Sequence, residues 1–68
     1  MINMLGFGFK ISFDGVEIVH LDDWNVYDTE EEAMESAKFE IDYIIENEDG
    51  YEGENPDDFE IEIVEIEE

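Results

Sequence analysis

The chain contains no cysteine, one proline and only two side chains that are cationic at neutral pH, Lys10 and Lys38. Each scarcity removes a class of explanation. Without cysteine there is neither a disulfide framework nor a thiolate metal site, and a reducing cytoplasm is the natural expectation. With two cations, direct nucleic-acid binding is excluded on sign, because phosphate contacts come from Lys and Arg. No apolar run approaches the roughly 20 residues that span a bilayer. The opening MINMLGFGFK has no basic start, long apolar run or small-residue cleavage site, so it does not read as a signal peptide.

What is present in excess is acid. Twenty-three Asp and Glu give a formal net charge of -21, and self-repulsion on that scale opposes compaction. Such a composition would mean disorder if apolar residues were scarce, but 43% of the chain is hydrophobic and falls in periodic patterns. The expectation is one acidic domain over residues 1–68, since this length builds a single small core. Salt adaptation is the competing account of the acidity. The abundance of Ile and Phe, and the preference for Glu over Asp, argue against it.

Leu5, Phe7, Phe9, Ile11 and Phe13 are apolar at every second position, with Gly6, Gly8, Lys10 and Ser12 between them. That pattern predicts a half-buried strand whose opposite face is bare enough at the glycines for a bend or a close backbone approach. Asp14-Gly15 is a two-residue hairpin signal, and a second strand is expected from Val16 to about Leu21. Asp22-Asp23 then turns the chain, with Trp24 to Tyr27 as a short third strand or a bulged continuation of the second.

TEEE marks a helix start: Thr29 as N-cap, Glu32 three residues on as in a capping box, and Glu30 and Glu31 beside the positive end of the helix dipole. Ala33, Met34, Ala37, Ile41, Ile44 and Ile45 form one apolar stripe, so the helix is expected to reach about Asn47 and lie on the sheet. NEDGYEGENPDD reads as a loop, and Phe59 to Ile66 as the last strand, with Phe59, Ile61 and Ile63 inward. Val64 and Ile66 then take the parity that Glu60 and Glu62 held, which a bulge or burial on two sides would explain. The layout is β-β-(β)-α-β, an α+β fold with one helix on one face of a mostly antiparallel sheet of three to four strands. YDTEEEAMESAKFEIDYIIEN, about a third of the chain, resembles the helix start of HicB-type antitoxin domains and of small phage proteins built the same way, though without their glycine-rich turn. The resemblance implies the layout rather than an activity.

Several chemistries are excluded. The loop from Glu46 to Asp58 does not fit an EF-hand: with Gly50 at the sixth position the first ligand would be Ile45, and with Gly53 there the twelfth would be Phe59. An acidic metal-buffering module remains as a minor reading, without a dedicated site or cofactor. His20, the only histidine, reads as structural. Paired-carboxylate catalysis needs two acids in different environments within a pocket, and a sheet with one helix offers little concave space. GFGFKI is no phosphate loop, because it lies in a strand with no helix directly after it. The expectation is a protein that is not an enzyme.

The acid pattern favours a basic partner. At an expected size of roughly 25 to 30 Å across, the net charge would match or exceed the linear charge density of duplex DNA, about one per 1.7 Å. The helix accepts like-charge pairs at Glu31/Glu35 and Asp42/Glu46 with one lysine nearby, where an ordinary solvated helix mixes signs. At 100° per residue, Phe39 and Tyr43 fall opposite the apolar stripe among Glu35, Asp42 and Glu46, as an interface anchor would, unless the loop near Tyr51 or a dimer mate covers them.

In size, charge and layout the chain resembles the DNA-mimic inhibitors of phages and mobile elements: anti-restriction proteins, uracil-DNA glycosylase inhibitors and anti-CRISPR proteins. The resemblance implies a stoichiometric blocker of a basic nucleic-acid-binding nuclease or effector complex in the host cytoplasm, as a monomer or small homo-oligomer. Its carboxylates would occupy the arginines and lysines that hold DNA, such as those with which a CRISPR effector reads its adjacent motif. The candidate contacts are Glu31, Glu35, Asp42, Glu46, Glu48, Asp49, Asp57, Asp58, Glu60 and Glu62, with Phe39 and Tyr43 as apolar anchors. The alternative is an antitoxin-like or regulatory module that sequesters a basic toxin or nucleic-acid-binding protein without imitating DNA.

Overall fold

Strand β1 (Met4–Phe13) is the central element of a three-stranded antiparallel sheet of order β2-β1-β3, with β2 at Val16–Val19 and β3 at Phe59–Glu67. The computed structural model describes residues 4–21 and 25–67. The hairpin from β1 to β2 turns on Asp14 and Gly15, whose φ values of 53° and 78° are those a type I′ turn requires. Helix α1 (Glu30–Asn47) then crosses one face of the sheet and delivers β3 to the far side of β1. Thus β2 and β3 run in the same direction, separated by β1.

The helix begins where Thr29 Oγ1 accepts a hydrogen bond from the Glu32 N–H (3.1 Å), and it ends with the Glu48 N–H on the Ile44 carbonyl (2.9 Å). Its buried side chains are Ala33, Ala37, Ile41 and Ile44, four of the six residues in the predicted stripe, with Met34 and Ile45 half-buried. Ala37, Ile41 and Ile44 meet Ile11, which is fully buried, and Phe59. The two alanines bring the helix close to the sheet, and the isoleucines fill the space that opens along it. At the turn end, Phe13 packs on Phe59 (centroids 4.7 Å apart) and edge-on to Tyr51 (5.3 Å), so the loop after the helix is pinned beneath the sheet's end.

The strand patterns are modified in three places. Ile11 pairs with Val19 but Ser12 with Glu17, so Ile18 is an extra residue, and the second strand stops at Val19 rather than near Leu21. Met4 pairs with Glu67 and Gly6 with Ile66, which expels Leu5 from the ladder and leaves it exposed instead of inward. The parity change at Val64 and Ile66 has the second of its two expected causes. Register with β1 runs unbroken there, and both residues lie on the outer face, opposite Gly8 and Gly6. Leu21 and Val26 come down on that face: a Cβ on Gly8 would lie 2.7 Å from Leu21 Cδ1, and one on Gly6 2.5 Å from Val26 Cγ1. The bare glycine strip is therefore a seat for Leu21 and Val26, and Ile66 is buried beside it.

The expected third strand is reduced, among the described residues, to a single antiparallel bridge. Phe7 and Tyr27 exchange two backbone hydrogen bonds of 2.8 Å, while Asp22, Asp23 and Trp24 lie outside the described residues. Tyr27 also places its ring 6.1 Å from that of Phe9 and its hydroxyl 2.6 Å from Ser36 Oγ, which ties the start of the helix to the sheet.

The molecule is longer than a compact sphere of its size. Its radius of gyration is 12.8 Å, against about 11 Å for a compact 68-residue chain, and its extents are 46 × 20 × 18 Å. The ten-residue β1, at about 3.3 Å per residue, accounts for much of that length. The expected breadth of 25 to 30 Å is corrected accordingly.

Candidate functional site

The amphipathic pattern that buries Ala33, Ala37, Ile41 and Ile44 turns Glu31, Glu35, Asp42 and Glu46 to solvent on the opposite side of α1. Phe39 flanks these acids with 78% of its surface exposed, and Tyr43, one turn on, is 57% exposed. The loop does not cover them, because Tyr51 is committed to Phe13 and Phe59 on the other side of the helix. Glu35, Lys38, Phe39 and Asp42 line a shallow surface recess of about 300 Å³.

The remaining candidates spread around the molecule. Glu48 and Asp49 are exposed just past the helix end. Asp57 and Asp58 follow Pro56 in a 3-10 turn (Pro56–Asp58) capped by Asn55, whose Oδ1 accepts from the Asp57 N–H at 2.9 Å. That local capping, with Asp58 N–H on the Asn55 carbonyl at 2.9 Å, shapes the loop. Asp57 shares an open groove of about 450 Å³ with Lys38, Asp42, Ile41, Phe59 and Ile61. Glu60 and Glu62, by contrast, pair across the ladder with Ser12 and Lys10 on the outer sheet face, away from the helix. The structure therefore brings Glu31, Glu35, Phe39, Asp42, Tyr43 and Glu46 together on one face, sets Asp57 beside it, and places Glu60 and Glu62 on the reverse.

Counter-charge is nearly absent. The only carboxylate–nitrogen contact of salt-bridge length among the described residues joins Glu17 to Nδ1 of His20, three residues apart at the surface, and Lys10, opposite Glu62 across the ladder, and Lys38 are the only cations set against the described acids. No charged or polar side chain among the described residues is buried. Among them no three His, Asp or Glu converge as a metal site would require, and no helix is long and apolar enough to cross a membrane. The full chain's charge spread over 46 Å amounts to about one net charge per 2 to 3 Å, somewhat sparser than the roughly 1.7 Å of duplex DNA. The elongated shape lowers the density that a rounder chain would have. The chain matches no family model, no curated protein and no solved structure.

Sequence reasoning missed one feature, the outer edge of β3, which no strand of the described residues pairs. Strand order, which decides what is an edge, leaves no mark in the alternation of a single strand. The acids at Glu60, Glu62, Glu65 and Glu67 were the available signal, since charge is a common guard on exposed strands.

Proposed function

We propose that the protein is a stoichiometric inhibitor that acts as a DNA mimic, occupying the basic nucleic-acid-binding groove of a host defence nuclease, a CRISPR effector or a restriction enzyme, and so blocking target DNA. The observation that carries this reading is the uncompensated anionic exterior, in which the helix acids surround an exposed Phe39 and Tyr43. A domain selected only for solubility gains nothing from like charges at Glu31/Glu35 and Asp42/Glu46, each pair of which weakens the helix by a few tenths of a kcal/mol. A cationic partner reverses the sign of that effect. Arginines and lysines that hold phosphates would meet carboxylates instead, and the summed field accelerates encounter. The two rings supply the apolar contact that phosphate mimicry alone lacks. On this reading the protein works in the cytoplasm of a bacterial host, needs no cofactor and catalyses nothing.

Competition tests it. The protein is immobilised, a panel of CRISPR effectors and restriction endonucleases is passed over it at modest ionic strength, and cognate duplex DNA is added to any that bind. Duplex DNA should displace the enzyme. Reversing Glu35→Lys, Asp42→Lys and Glu46→Lys together should weaken binding by at least about tenfold, and more than three reversals at Asp14, Glu17 and Glu67. If DNA fails to displace the enzyme and the two triple variants behave alike, mimicry is wrong and the antitoxin-like sequestering of a basic protein takes its place. If no cationic macromolecule is retained, both fall.

A further inference from the structure

The outer edge of β3 can be described residue by residue. Phe7 exchanges both of its backbone hydrogen bonds with Tyr27, on the side of β1 away from β3. Because backbone groups alternate along a strand, Gly6, Gly8, Lys10 and Ser12 are the β1 residues that bond to β3, and their partners are Ile66, Val64, Glu62 and Glu60. The N–H and C=O groups of Ile61, Ile63 and Glu65 consequently point outward from the sheet, with no strand of the described residues beside them. Ile61 and Ile63 face the helix side yet stay only half-buried, because their outer flank is open. Two grooves run along this edge beneath the helix. One, of about 450 Å³, is walled by Ile41, Phe59 and Ile61 with Asp42, Asp57 and Lys38 at its rim, two acids to one cation. The other, of about 370 Å³, lies at Ile63 with Glu30 and Glu65.

We infer that β3 is a docking edge for an extended segment of a partner protein that alternates apolar and basic residues and adds antiparallel to it as a fourth strand. Main-chain bonds to Ile61, Ile63 and Glu65 hold such a segment. Its apolar side chains enter the grooves under α1, and its basic ones lie beside Glu60 and Glu62 on the outer face, where opposite charges on neighbouring strands attract. Charge selects this occupant over a second copy of the chain. Two β3 edges paired with each other would set rows of glutamate side by side between bodies that each carry -21. The inference is independent of DNA mimicry, since it concerns the sheet edge and not the exposed helix face, and the DNA competition above can fail without touching it.

The test uses a capped peptide of alternating lysine and valine, titrated into the full chain and followed by fluorescence anisotropy and amide NMR. In an antiparallel addition, the residues of the new strand that face the helix are also those whose amides bond to β3. N-methylation of the valine amides should therefore weaken binding by at least about tenfold, through loss of several hydrogen bonds, while methylation of the lysine amides leaves it within about twofold. On binding, the amides of Ile61, Ile63 and Glu65 should shift and gain exchange protection. Equal affinity of the two methylated peptides would reduce the interaction to bulk charge and overturn the proposal. So would shifts centred on Phe39 and Tyr43, or protection of the same β3 amides by self-association without peptide.

Discussion

Gly6→Ala is the sharpest probe of how this sheet is put together. A Cβ at Gly6 would stand 2.4 Å from the Tyr27 carbonyl oxygen and 2.5 Å from Val26 Cγ1. The valine methyl can swing away, but the oxygen belongs to backbone and already accepts the Phe7 N–H at 2.8 Å. It must retreat by about 1 Å to reach ordinary contact, and that motion breaks the Phe7–Tyr27 bridge. Two hydrogen bonds are lost at about 0.5–1.5 kcal/mol each. The φ of +154°, which L side chains rarely adopt, adds backbone strain of order 1 kcal/mol. The expected destabilisation is about 2–4 kcal/mol, a large share of the roughly 3–10 kcal/mol available to a domain of this length. Urea unfolding followed by circular dichroism measures it as a lower midpoint at nearly constant slope. The Phe7 and Tyr27 amides should exchange faster, because the segment entering α1 is no longer tied down. A loss below about 0.5 kcal/mol with the Tyr27 amide still protected would show that the crossing segment does not depend on the bare glycine.

Other outcomes follow from the same structure. Thr29→Ala removes the only side-chain acceptor seen at the helix start and should cost about 1 kcal/mol, lowering Tm by about 4–8 °C in a thermal melt; an unchanged Tm would mean the cap contributes nothing. Raising sodium chloride from about 0.01 M to 1 M shortens the screening length from about 30 Å to 3 Å. With few attractive charge contacts to weaken among the described residues and a net charge of -21 to screen, Tm should rise, and a fall would contradict the picture of an uncompensated exterior. Phe39→Ala should leave the unfolding free energy from urea titration within about 0.5 kcal/mol of wild type, since its ring packs on little; a larger loss would mean that the ring is covered.

The helix was readable because its signals are local. Thr29, the acids of the first turn and the Ala33–Ala37–Ile41–Ile44 spacing act within one element, and the folded chain keeps all of them. The Asp14-Gly15 hairpin was readable for the same reason, and so was the solvation of Glu31, Glu35, Asp42 and Glu46 around Phe39. The strand of Leu5 to Phe13 was legible as alternation, but Leu5 was misplaced, since a bulge depends on what the partner strand does with its register.

By itself the sequence determined an acidic chain with a two-strand hairpin, one capped amphipathic helix and a final strand, because charge, turn chemistry and periodicity are properties of neighbouring residues. Only the tertiary structure decided that β1 lies in the middle and that Leu21 and Val26 cross its glycines. It also decided that Glu60 and Glu62 face away from the helix acids and that no strand of the described residues covers the outer edge of β3. Those outcomes turn on which surfaces meet across long stretches of chain, and no single stretch encodes its own neighbours.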